Sequence, residues 1–95
     1  MVHFLVEYRD LGNAAARDAL RGEHIAYRKR LGADMALAGP LLDAEERPIG
    51  SVVIVQADDE AGAGEIASAD PYVAAGVFEL VSVRRYRIAA MHKPA

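Results

Sequence analysis

Two residues in this chain have the chemistry of a proton-transfer pair and sit where a fold could join them. His24 falls in the middle of a long stretch of helical periodicity, and Asp70 immediately precedes Pro71-Tyr72. An Asp-Pro step begins a helical turn well. The carboxylate accepts backbone N–H groups, and proline loses nothing at the first helical position. An imidazole titrates near neutral pH, so it can take and return a proton. A carboxylate beside it can hold its tautomer and stabilise the imidazolium. Asp70 could do this with one oxygen while still capping the turn. Arg21, one helical turn before His24, would lie next to it, either supplying charge to an anionic ligand or pointing into water. Tyr72 and Tyr27 could orient a phenolic or carbonyl ligand, although Tyr27 shares the apolar stripe of His24, where core packing is the simpler role.

The elements that must position these groups follow from periodicity. Val2 to Tyr8 alternates as a strand, with Phe4 and Val6 on one face and His3, Leu5 and Glu7 on the other. Arg9-Asp10-Leu11-Gly12 reads as a turn, and Asn13 as the N-cap of a helix over 14–31. In that helix Ala16, Leu20, His24, Tyr27 and Leu31 form one stripe, with Arg17, Arg21, Arg28 and Asp18 largely off it. His24 on the stripe has two readings: a core histidine bonded to a backbone carbonyl, or an imidazole at the floor of a pocket between helix and sheet. Gly32 fits the position just past the helix end.

Residues 35–43 read as a second strand interrupted by Gly39-Pro40. Glycine within a strand marks a bulge or a close approach, and proline removes a ladder donor. Space above this side-chain-poor step could hold a ligand or serve only to bend the sheet. A polar hairpin tip at 44–48 leads to the β-branched run 49–55. Asp58 and Asp59 can cap a helix over 60–68, weakened by Gly62 and Gly64. Gly76 releases the chain from the Asp70 turn into a last strand over 78–88, in which Phe78, Leu80 and Ser82 alternate against Val81 and Val83. The tail from about residue 89 is expected to fray. The order β-α-β-β-α-β, with the central strands joined as a hairpin, is the ferredoxin-like split βαβ arrangement of an α+β protein. Helices then cover one face of an antiparallel sheet, and a second copy packed sheet to sheet would cover the other.

Composition narrows the function classes. The 95 residues suit one domain over residues 1–95, and a hydrophobic fraction of 53% argues against disorder. There is no cysteine, which removes disulfides, thiolate metal sites and a thiol nucleophile. The net charge of −3 argues against nucleic-acid binding, and the basic cluster Arg84-Arg85-Tyr86-Arg87 alternates across a strand instead of forming a stripe. No apolar run approaches the ~20 residues of a membrane span, and the N-terminal residues lack the pattern of a signal peptide. The expectation is a soluble cytoplasmic protein. His3, His24 and Asp70 have no recognised metal spacing, so no metal site is expected.

Arg21-Gly22-Glu23-His24, Gly32, Ala38-Gly39-Pro40-Leu41, Gly50 and the run from Asp70-Pro71-Tyr72 to Ala75-Gly76-Val77-Phe78 together resemble the YciI-like family, in order and spacing over roughly residues 2–88. The resemblance implies a dimeric α/β-barrel built from the ferredoxin-like subunit, with His24 and Asp70 as its active-site pair. At least one relative is a lyase-type enzyme that removes chloride from a hydroxylated ring. Ser51, Ser68 and Ser82 are candidates for a third member by residue type alone. The expected function is a small enzyme without metal or cofactor, performing elimination or isomerisation on a small cyclic or carbonyl-bearing molecule. His24 and Asp70 are its catalytic residues, and Arg21, Gly39, Pro40 and Tyr72 contact the substrate. The alternative is a non-catalytic dimeric module that binds a metabolite or partner, with His24–Asp70 as a structural hydrogen bond.

Overall fold

A computed structural model describes residues 1–94. Strands β1 (Val2–Asp10), β2 (Met35–Leu42), β3 (Pro48–Ala57) and β4 (Phe78–Tyr86) form one antiparallel sheet in the order β2-β3-β1-β4. Helices α1 (Ala14–Leu31), α2 (Glu60–Ser68) and the single turn α3 (Pro71–Ala74) lie on one face. This is the α+β, ferredoxin-like arrangement. Residues 87–94 carry no helix or strand.

The helix ends follow their caps. Asn13 Oδ1 accepts from Ala16 N at the start of α1, and Asp59 accepts from Gly62 N at the start of α2. Asp70 caps α3 by accepting from Tyr72 N at 3.0 Å, with Pro71 at the first helical position. Gly76, at φ 74°, turns the chain into β4 through a conformation that L side chains rarely adopt. The core between sheet and helices is Phe4, Val6, Tyr8, Val53, Val55, Ala57, Ala63, Ala67, Tyr72, Val77 and Phe78. On the opposite face Leu37 and Leu41 are exposed.

Strand details differ from expectation, among them the end of β4 at Tyr86 in place of residue 88. β1 runs two residues further than Tyr8, because Arg9 and Asp10 keep pairing with Glu79 and Phe78 before the Asp10 carboxylate turns the chain by accepting from Gly12 N. Gly39-Pro40 is not a bulge: Gly39 faces Val52 and Pro40 faces Ser51 in continuous register, and the irregularities lie between Met35 and Leu37 and between Leu41 and Leu42. Since β2 is an edge strand, its proline disturbs no inner ladder. In β4 the simple alternation breaks. Tyr8 faces Leu80 while Glu7 faces Ser82, so Val81 is an extra, exposed residue, and Val83 joins Leu80 on the helix side opposite Val6. The close approach sits instead at Gly50, where a Cβ would come within 2.4 Å of the Tyr8 carbonyl oxygen.

Candidate active site

α1 brings its stripe to the sheet as expected, with Ala16, Leu20, His24, Tyr27 and Leu31 partly buried, but it buries no residue completely. It is held by polar contacts. Tyr27 donates its hydroxyl to the Ile66 carbonyl at 2.7 Å, and Tyr8 from β1 donates to the Ala67 carbonyl at 2.7 Å. Those carbonyls end α2, where the last turn has no intrahelical donors, so the two phenols complete that helix. Burial pushes both phenol pKa values up. Tyr27 is therefore a structural tyrosine.

His24 and Asp70 meet. His24 Nδ1 lies 2.8 Å from Asp70 Oδ1, and Arg28 Nε donates to Asp70 Oδ2 at 3.1 Å. The Asp70 side chain is 1% exposed, against 16% for His24 and 15% for Arg28. Burial raises the Asp70 pKa, but hydrogen bonds from His24 and Tyr72 N, with the charges of His24 and Arg28, outweigh it and hold the carboxyl below its ordinary value. Beside an ionised Asp70, the neutral form of His24 carries its proton on Nδ1, which leaves Nε2 as the free acceptor.

Aromatic rings fix the plane of the imidazole. Tyr72 stacks on it at 3.9 Å between ring centroids and 7° between planes, and Phe78 meets it edge-on at 6.1 Å. Tyr72 donates its hydroxyl to the Arg17 carbonyl at 3.1 Å, so its one polar side-chain group is engaged within the fold. What it offers at the site is its ring face against His24.

Cavities open on two sides of His24. One, of about 260 Å³, lies between α1 and the β2–β3 edge and is lined by His24, Arg17, Arg28, Gly39, Pro40 and Ser51, among others. The second, of about 240 Å³, is lined by Arg17, Arg21, His24, Ile25, Tyr72 and Phe78. Gly39 and Pro40 thus stand across the first cavity from His24, and Arg21 lies at the second. Ser51 is the serine that reaches the site; its Oγ donates to the Gly39 carbonyl at 3.4 Å. Ser82 lies away on β4, where its Oγ is buried without a partner. His3 projects from the other side of β1, facing away from Phe4 and Val6, so the three-ligand set His3, His24 and Asp70 does not converge. Among the described residues no group of three His, Cys, Asp or Glu side chains is arranged to hold a metal ion.

Arg28 and Arg17 are the site residues that sequence reasoning missed. Both read as largely off the apolar stripe, yet both turn inward, Arg28 to Asp70 and Arg17 to Asp10. The signal that could have found Arg28 is its spacing: four residues after His24, it shares one helix face with the imidazole.

The family described as YCII-related domain matches residues 1–87. Among solved structures, the chain is similar to 5-chloro-2-hydroxyhydroquinone dehydrochlorinase from Burkholderia phenoliruptrix AC1100, in complex with 2,5-dihydroxybenzoquinone. The TM-score is 0.71 at 25% identity, covering 88% of this chain and 93% of that one. Among curated proteins there is no significant match. No helix among the described residues is long and apolar enough to cross a membrane.

Proposed function

The chain belongs to the YCII-related family, and on that premise we propose that it is a cytoplasmic, cofactor-free enzyme of elimination or isomerisation, acting on a small cyclic or carbonyl-bearing molecule. The observation that carries this reading is the 2.8 Å contact of His24 Nδ1 with a buried Asp70, made by an imidazole that also lines a cavity. Asp70 holds the Nδ1–H tautomer. Nε2 takes a proton from the substrate, the released electron pair moves into the ring or carbonyl system, and a leaving group departs with its own bonding pair. Asp70 stabilises the imidazolium until the proton passes to product or solvent. In an isomerisation the same proton returns at another carbon. Overall oxidation state is unchanged, so the chemistry asks for no redox partner. The dehydrochlorinase similarity supports a small-molecule reaction of this kind. We further propose that a second copy of the chain packs on the open sheet face bearing Leu37 and Leu41.

The test is chloride release from 5-chloro-2-hydroxyhydroquinone, followed by a panel of related hydroxylated rings. His24→Ala and Asp70→Asn each lower turnover by roughly 10²–10⁴-fold. Full activity in either variant, with the fold intact by circular dichroism, overturns the assignment. One observation favours a second reading: Asp70 already caps α3 and pairs with Arg28, so its bond to His24 has structural work without catalysis. In that reading the protein binds a metabolite and leaves it unchanged. A ligand that raises the melting temperature and is recovered unconsumed would select it.

A further inference from the structure

We infer that the site selects an organic anion, and that Arg17, Arg21 and Arg28 form the row of charge that receives it. This deepens the proton-transfer reading and rests on it for the position of the reacting group. The chain as a whole carries a net charge of −3, so a local excess of cations needs a reason. The lining of the second cavity holds two guanidinium groups, Arg17 and Arg21, with the imidazole and two aromatic rings, and no carboxylate. The first cavity holds Arg17 and Arg28 against one carboxylate, Asp10. Asp70, which balances Arg28, is buried beneath His24 and lines neither. Formal charge in both linings is therefore positive while His24 is neutral.

The cations are also incompletely used. Arg21 makes no ion pair among the described residues. Arg28 spends Nε on Asp70, and its Nη2 is buried with no partner. A buried, unpaired guanidinium donor is costly, and an oxygen acceptor arriving in the adjoining cavity would relieve it. Arg17 rests its guanidinium at 5.7 Å from the centroids of both Tyr72 and Phe78, the rings that flank His24, so its charge lies beside the proton acceptor. An anionic carboxylate or ring oxygen held by this row would present its carbon skeleton to His24. The same cations would stabilise the negative charge that proton removal creates. The floor facing them is small and apolar, from Ala38, Gly39 and Pro40, and suits one flat ring.

Three probes of one shape separate charge from fit: benzoate, benzamide and benzamidine, which is a cation at neutral pH. Binding is followed by chemical-shift changes of the His24 ring at low ionic strength. Benzoate binds about tenfold more tightly than benzamide, benzamidine does not bind, and added salt narrows the difference. Arg21→Gln, at an exposed position, lowers benzoate affinity roughly two- to fivefold. Equal affinities for benzoate and benzamide, benzoate binding that leaves His24 unshifted, or no benzoate binding overturn the inference. The proton-transfer reading fails separately, if folded His24→Ala keeps full turnover whatever benzoate does.

Discussion

α2 meets the sheet through Ala63 and Ala67, both buried, whereas α1 buries no residue completely and is tied down by Tyr27, His24, Arg28 and Arg17. Alanine lets a helix lie close, and the gain is apolar area, indifferent to pH and tolerant of small rotations. A helix held by hydrogen bonds and ion pairs can stand further off, because long side chains bridge the gap. That stand-off is where the cavity beside His24 lies. The close helix supplies adhesion; the distant one supplies a site, and its attachment depends on charge.

The largest test of this contrast is Asp70→Ala, which leaves His24 and Arg28 facing a hole. We expect a loss of about 3–5 kcal/mol, measured by urea unfolding, since removing one partner of a buried ion pair strands the other. A loss below about 1 kcal/mol would mean that α1 is held by contact after all. Ala67→Leu attacks the other side. Overpacking in the core that Ala67 shares should cost about 1–3 kcal/mol, and movement of the His24 resonances would mean the two sides are not independent.

Acid separates the two attachments next. The Asp70 pKa is held below its ordinary value. Its contribution to stability is therefore fully present above the unfolded pKa of about 3.9 and is lost as pH falls through the lower, folded value. Wild type should lose more stability than Asp70→Asn between pH 5 and 2, and equal losses would assign acid sensitivity to other carboxylates. Tyr27→Phe removes one bond to the α2 terminus and should cost about 1 kcal/mol. Smallest of all is Gly39→Ala: nothing lies within 4 Å of the added carbon, so stability should stay within about 0.5 kcal/mol. Weakened benzoate binding with unchanged stability would place Gly39 on the ligand's path.

What could be read from the residues divides along the same line. The ends of α1 at Ala14 and Leu31 agree with the reading because Asn13 and Gly32 are local signals, satisfied within a few residues. The Asp70 cap is local in the same way. His24 and Asp70 are separated by 46 positions; their types and faces make them a candidate pair, and the family resemblance strengthens that pairing. Arg28 was missed because a cation on a half-apolar helix is ordinarily assigned to water, and its partner arrives from a distant turn. The β4 bulge was invisible for a different reason. Val81 is as good a strand residue as its neighbours, and only pairing with β1 shows that it is surplus. The Gly39-Pro40 step did mark the cavity wall, although the step itself stays in register.

Pro40 has a consequence for behaviour at high concentration. It sits on β2, an outermost strand of the sheet, beside exposed Leu37, Leu41 and Leu42. An apolar outer strand with its full row of donors is a template for addition of a foreign strand, the first step toward fibrous aggregates. Proline deletes one donor from that row, and the residue that helps wall the cavity thereby also works as a gatekeeper against aggregation.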